Sequence, residues 1–282
     1  MRRPARPPFF VREVVEACSQ WLMNFGYAER VDAYLFELTA LEIRYRRAGQ
    51  MGILLSFLLT QLVPQGNHQD RAMFEEIYGQ AVVGRAPGRK LYEAIKALAA
   101  DTRCPLCGIQ AVTQVDHHAP KDKFPLLALT PMNLVAVCGP CNLTKSNSFD
   151  QEPTREAIHP YFDDFGPERW LFADIDHTAG GVAVFRAIPP ETWPATKAAR
   201  LQRHFAKYHL ADRYKAEAGH TLSMRKRKDL KTLEDSGCAE LHAQLLDDAN
   251  WYADYDPNGW QAALMFALAD SPWYLNGGMR DI

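Results

Sequence analysis

The strongest constraint on this chain is a pair of pairs: Cys104-x-x-Cys107 and, after thirty intervening residues, Cys138-x-x-Cys141. Each pair closes a tight turn that offers two sulfurs, and two such turns complete one tetrahedral site, for which zinc is the usual ion. Gly108 and Gly139 stand directly after a cysteine of each pair and are expected to supply the turns. A four-thiolate site leaves no position open to water. The expected zinc, held by Cys104, Cys107, Cys138 and Cys141, is therefore structural. A redox Cys-x-x-Cys would not explain two matched pairs. Cys18 and Cys238 stand alone in helical contexts and are expected to be buried apolar residues.

Composition sets the frame around this site. With 282 residues, 47% of them hydrophobic, the chain has material for one large domain or two to three small ones. The net charge of −2 carries no global sign of a polyanion partner. Its distribution is uneven. Lys197 to Lys231 holds eleven Lys or Arg against three Asp or Glu, whereas Thr232 to Ile282 holds one Arg against nine acids. Such a contrast marks either a polyanion-binding face or two segments that pair with each other or line solvated faces. The start "MRRPARPPFFVREVVEAC" lacks the apolar stretch of a signal peptide, and the longest apolar run, Met51 to Val63, is too short to span a bilayer. A cytoplasmic location follows as the expectation, with no membrane contact. Thiols there stay reduced, which again favours metal ligation over disulfides.

Three segments emerge along the chain. Residues 1–102 read as a helical domain: Val31, Leu35, Leu38, Leu41 and Tyr45 recur at helical spacing, "MGILLSFLLTQLV" reads as a buried helix, and Pro64, Gly66 and "GRAPGR" punctuate the helices. Residues 103–150 lose that periodicity. Val112–His117 and Leu134–Cys138 read as short strands, and a short helix is expected to begin near Pro140 to Asn142. Residues 151–282 form an accessory region. It opens with a loop-rich piece, continues with a hairpin of "WLFADID" and "GVAVFRAI" turning at Gly180-Gly181, and ends in helices. The fold class expected is α+β, mostly α.

Between and just after the cysteine pairs lie Asp116, His117, His118, Pro120, Lys121, Asn133, Asn142 and Lys145. "VDHHAPKDKFPLLALTPMNLVAVCGPCNLTKSN" resembles the HNH nucleases, whose pattern runs Asp-His-x-x-Pro, then Asn-Leu ahead of a cysteine pair, then Cys-His or Cys-Asn followed by Lys. "IHPYFDDFGPERWLFADI" and "WQAALMFALADSPWYLNGG" are similar to the helical flanks of stand-alone bacterial HNH proteins. The resemblance implies a strand-strand-helix (ββα-metal) core around one catalytic ion, flanked by helical regions. It also implies that Asn133 holds the loop and orients the base, and that the base is His117, three residues before Pro120. One departure is that Asn142 stands where the founding pattern has its last His. An oxygen donor is kept, and the preferred ion is left open.

The residues themselves make chemical sense of this. Hydrolysis of a phosphodiester needs an activated water, and a neutral histidine can take its proton near pH 7. The leaving oxygen needs stabilising, which a divalent ion does. Asp116 and Asn142 offer hard oxygen ligands suited to Mg²⁺ or Mn²⁺. Lys121 and Lys145 are candidate phosphate contacts. In "TKAARLQRHFAKYHL", Lys197, Arg200, His204 and Lys207 share a helical face, so Arg200 and Lys207 are further candidates. The expected activity is endonuclease cleavage of nucleic acid, DNA in the first place, and a place in bacterial defence is an analogy of fold alone. The helical segment 1–102 is the expected surface for any protein partner. The rival reading is a catalytically inactive, zinc-dependent nucleic-acid-binding or protein-interaction module. A third makes His117 and His118 ligands of a second zinc with His159. His118 is expected to pack behind the site, and Trp251, Tyr252, Tyr255 and Trp260 are expected in the core.

Overall fold

The computed structural model describes residues 3–63 and 70–281; the expected breaks at Pro64 and Gly66 lie outside them. The chain is mostly helical, with two separate two-stranded antiparallel sheets. It divides into two compact units, Arg2–Asp164 and Phe165–Ile282.

In the first unit, α1 (Val11–Asn24) turns its buried face, Val14, Cys18, Trp21 and Leu22, onto α2 (Ala28–Gln50). The start of α1 is fixed by a buried carboxylate. Glu42 accepts from the Val11 amide at 2.7 Å and pairs with Arg46 one turn along α2 at 2.9 Å. The apolar run Met51–Val63 contains α3 (Leu54–Gln61), with Leu54, Leu55 and Leu58 buried but Leu59 exposed. Next, α4 (Arg71–Glu76) widens into a π-helical stretch, Ile77–Val83, and α5 (Gly88–Ala97) follows. Strands β1 (Gln114–His117) and β2 (Leu134–Val137) pair antiparallel, Asp116 opposite Val135 and His117 opposite Leu134. Then comes α6 (Gly139–Lys145). The ends of both strands and the start of α6 fall within two residues of the expected ones.

The boundary expected at 102/103 does not separate compact units. Val115 and Leu134 of the strands share one apolar core with α1, α2, the π-helical stretch and α5. Two tyrosines stitch β1 to that layer: Tyr78 donates to the Val115 carbonyl at 3.2 Å and Tyr92 accepts from its amide at 3.0 Å. Nor does the accessory region begin at 151. Tyr161 donates to the Leu134 carbonyl at 2.9 Å, and its own carbonyl accepts from Arg3 and Arg6. Phe162 lies so close over Gly49 that any Cβ there would clash with its ring.

In the second unit, β3 (Leu171–Asp176) and β4 (Val182–Ala187) form the expected hairpin across Gly180 and Gly181, both at positive φ. The basic segment from Ala195 is not one continuous helix. α7 (Ala195–Lys207) stops before His209, which adopts a left-handed conformation, φ 50°. α8 (Leu210–Tyr255) then runs for 46 residues and folds back at Gly237 (φ 83°). Its basic first half and acidic second half pair across this hairpin: Arg225 reaches Asp248 at 2.6 Å and Thr232 meets Gln244 at 3.3 Å. The buried α9 (Trp260–Ala269) packs on α8 and β3, and α10 (Pro272–Leu275) closes the unit. Two expectations fail here. Cys238, beside the Gly237 bend, is exposed rather than buried. Trp251 and Tyr255 stand on the outer side of α8, 69% and 54% exposed, because Leu241, Leu245 and Ala249 occupy its inner face. Among the described residues no helix is long and apolar enough to cross a membrane.

Candidate active site

The four cysteines meet as their spacing requires. Their sulfurs lie within 4.8 Å of one another and all four residues are buried. The Cys107 and Cys138 sulfurs are 3.9 Å apart. A zinc–sulfur bond of about 2.3 Å implies about 3.8 Å between ligand sulfurs in a regular tetrahedron, so the donor set fits that ion. The first turn is the expected one: the Gly108 amide donates to the Cys104 carbonyl at 2.8 Å, and Gly108 takes the left-handed conformation (φ 69°) that such a turn favours in glycine. The second differs. Gly139 is the first residue of α6 and Cys138 its N-cap, so a helix start replaces a glycine turn. Sulfur–sulfur hydrogen bonds divide the cluster. They lower Cys107 and bring Cys138 down to about 6, while Cys104 and Cys141 are pushed up.

Directly beyond Cys141 along α6 lies the second centre. Asp116, on the face of β1 shared with Gln114, is paired with Lys145 at 2.9 Å. Asn142, with its amide nitrogen turned to Asp116, donates to both carboxylate oxygens at 3.2 and 3.3 Å. Asn142 and Lys145 are three residues apart on a helix and so present to the same side. The structure thus brings Asp116 and Asn142 together. It turns Lys145 inward rather than toward solvent, its side chain only 7% exposed.

His117 alternates to the opposite face of β1, at the last rung of the ladder. It is buried, its ring 4.3 Å from that of Tyr78 in an edge-on contact. Its Nε2 lies 2.9 Å from the Ala128 carbonyl. A carbonyl only accepts, so Nε2 carries the proton and Nδ1 keeps a lone pair. Burial pushes this imidazole down to about 3, against the pull of the Ala128 carbonyl and helped by Lys121 and Lys145. His117 is therefore neutral at pH 7.

Asn133 is fully buried and ties the loop between the strands at both ends. Its Oδ1 accepts from the Ala119 amide at 2.7 Å, and its Nδ2 donates to the carbonyls of Ala119 and Leu127 at 3.0 and 3.1 Å. Leu127 precedes the carbonyl that fixes His117. Behind Asn133 runs a relay that the sequence did not disclose. The Tyr161 amide donates to His159 Nδ1 at 3.2 Å, leaving the proton of the neutral ring on Nε2. That nitrogen lies 3.0 Å from the Tyr45 hydroxyl, which donates to Asn133 Oδ1 at 3.1 Å. His118 packs at a tilt against His159, ring centroids 4.1 Å apart. Both His159 nitrogens are engaged within the relay, and His117 faces Tyr78 instead. The three histidines are not assembled as a metal site.

Lys121 is half-buried on the loop. In the second unit, Arg200 and Lys207 are half-buried on α7, His204 is buried, and Lys197 lies 3.8 Å over the Trp193 ring. The basic face expected on α7 is thus turned partly inward, and the exposed positions of the helix are Ala195, Thr196, Gln202 and Ala206.

The chain is similar to protein ea31 of Escherichia phage lambda: 25% identical over 300 aligned positions, spanning 98% of this chain and all of that protein. No protein-family profile matches. No solved structure matches either.

Proposed function

We propose that this chain is a metal-dependent endonuclease of the HNH type that hydrolyses phosphodiester bonds of nucleic acid, DNA in the first place. The observation that carries the reading is the meeting of Asp116 from β1 with Asn142 from α6, one residue beyond the four-cysteine cluster. Zinc on the cysteines would be structural, because four buried sulfurs leave it nothing to offer a substrate. A divalent ion held by Asp116 and Asn142 would supply charge stabilisation at the scissile phosphate and the leaving oxygen. His117, neutral and with its tautomer fixed by Ala128, takes the proton of the attacking water at Nδ1. Asn133 holds both ends of the loop that delivers the Ala128 carbonyl, and Tyr45 and His159 hold Asn133. Lys121 contributes positive charge toward phosphates, and Arg200 and Lys207 are separate candidate phosphate contacts within the second unit.

The test is incubation of zinc-loaded protein with supercoiled plasmid, single-stranded DNA and RNA under Mg²⁺, Mn²⁺ or EDTA. Divalent-dependent nicking that disappears in His117→Ala supports the reading. The alternative, an inactive zinc-dependent binding module, draws on one observation: Asp116 is already neutralised by Lys145. Nucleic-acid binding without cleavage under every ion would favour that alternative.

A further inference from the structure

Lys145 is the charged group at this site that the proposed reaction leaves without a task. It is no ordinary surface lysine: its side chain is 7% exposed, and its ammonium sits 2.9 Å from an Asp116 carboxylate that is itself only 18% exposed. With its amide nitrogen turned to Asp116, Asn142 donates to both oxygens of the same carboxylate. A divalent ion on Asp116 would lie about 2.0–2.6 Å from a carboxylate oxygen. If the ion used the oxygen that pairs with Lys145, the ion and an unmoved ammonium could be no more than about 5.5 Å apart, the sum of the two separations. Two positive charges that close, in a partly desolvated site, repel strongly. Asn142 must also turn its amide over to offer oxygen instead of nitrogen. Ion binding therefore strips Asp116 of the Lys145 ammonium and of both Asn142 hydrogen bonds together.

We propose that Lys145 is a resident competitor of the catalytic ion: its ammonium and a divalent cation exchange on Asp116, and this exchange sets the ion affinity of the site. The inference rests on Asp116 and Asn142 being the ion ligands. It carries a second consequence. The displaced ammonium needs a new anionic partner, and the phosphate backbone that arrives with the substrate is one. Ion and nucleic acid then each tighten the binding of the other, as linkage requires. Lys145 acts here as a positioning residue, through Asp116.

The test measures Mn²⁺ binding to the full-length, zinc-loaded protein without nucleic acid, by calorimetry and by the paramagnetic resonance of free Mn²⁺. Wild type is compared with Lys145→Met and Asp116→Asn. Lys145→Met should bind Mn²⁺ about tenfold tighter or more, because the repelling charge is gone and the apolar stem is kept. Asp116→Asn should lose the site. Equal or weaker binding by Lys145→Met, while Asp116→Asn abolishes binding, would overturn the competition and leave the ion site standing. Binding that is the same in all three proteins would remove both. Should Lys145→Met lose zinc or helical content, the wild-type protein answers alone. Under reductive methylation, Lys145 should be protected without Mn²⁺ and become reactive with it at constant ionic strength. Unchanged reactivity would overturn the proposal.

Discussion

Two polar centres share one short helix and differ in nearly every physical respect. The four cysteines are soft donors, buried and closed around a single point. Asp116 and Asn142 are hard donors, half-buried, and engaged with a lysine and with each other. Cys138 and Cys141 lie at the start of α6, whereas Asn142 and Lys145 follow along it. The first centre can fix geometry and nothing else. The second has partners that can be exchanged. In the proposed reading the sulfur site acts on chemistry only through placement, by pinning the helix that carries Asn142.

The sharpest way to break this contrast is Cys141→Ser. Loss of one of four ligands should release zinc and unfold the knuckle, taking both centres with it, and cleavage should fall to background. A variant with full zinc content and full cleavage would separate the two centres and refute the coupling. Asp116→Ala and Asn142→Ala should instead abolish cleavage with about one zinc per chain retained, since different ions use the two donor sets. Elemental analysis beside a nicking assay checks this, and activity in either variant would displace the ligand assignment.

The adjacent histidines sharpen the contrast within the second centre. His117→Ala should slow cleavage by about 10²–10⁴-fold with the fold intact. His118→Phe keeps a ring against His159 and should stay within about tenfold of wild type. Equal damage from both, in folded proteins, would mean that the proton acceptor is misassigned.

Burial of neutral His117 has a thermodynamic signature. Its imidazole is held near 3 in the folded chain against 6.5 for an ordinary histidine, so the unfolded chain takes up the proton first. The stability from this residue is complete above pH 6.5 and drains away as the pH falls toward 3. By pH 5 the loss should be roughly 2 kcal/mol. Denaturant melts between pH 7 and 4 should show this slope in wild type and a shallower one in His117→Asn. Equal slopes would mean that His117 is not held neutral by burial.

The smallest effect expected is in the second unit. Arg200→Glu with Lys207→Glu should weaken nucleic-acid binding and reduce the slope of log affinity against log salt by about one for each phosphate no longer neutralised. An unchanged slope would return both residues to structural roles, for which their half-buried positions on α7 leave room.

The local parts of this design were legible in the sequence, and the long-range parts were not. Cysteine spacing announced the cluster, and a few alternating residues on either side of it located β1, β2 and the start of α6. The juxtaposition of Asp116 and Asn142 followed from a motif only about thirty residues long. In contrast, the hydrogen bond of Tyr45 with His159 spans 114 positions, and both residues have bland local readings, one as a helix-face aromatic and the other as a loop histidine. Tyr78 lies on a π-helical stretch, which α-periodicity does not place. Lys145 reads in the sequence as a candidate phosphate contact, because nothing in its neighbourhood says that Asp116, across a strand and a loop, points back at it. Trp251 is an aromatic expected in the core, yet a helix that folds back at Gly237 has an outside as well as an inside.

The shared core of the first unit bears on how this molecule can be dismantled. Residues 103–150 look like a cassette that could be cut out and carried to another protein. Yet Val115 is held on both its amide and its carbonyl by tyrosines from the preceding helices, and Asn133 is held by Tyr45 from α2. A fragment limited to those residues would keep its cysteines and lose the wall against which β1 is braced. The compact unit runs to Asp164, and a shorter excision should keep the cysteine cluster without the fold around Asp116 and His117.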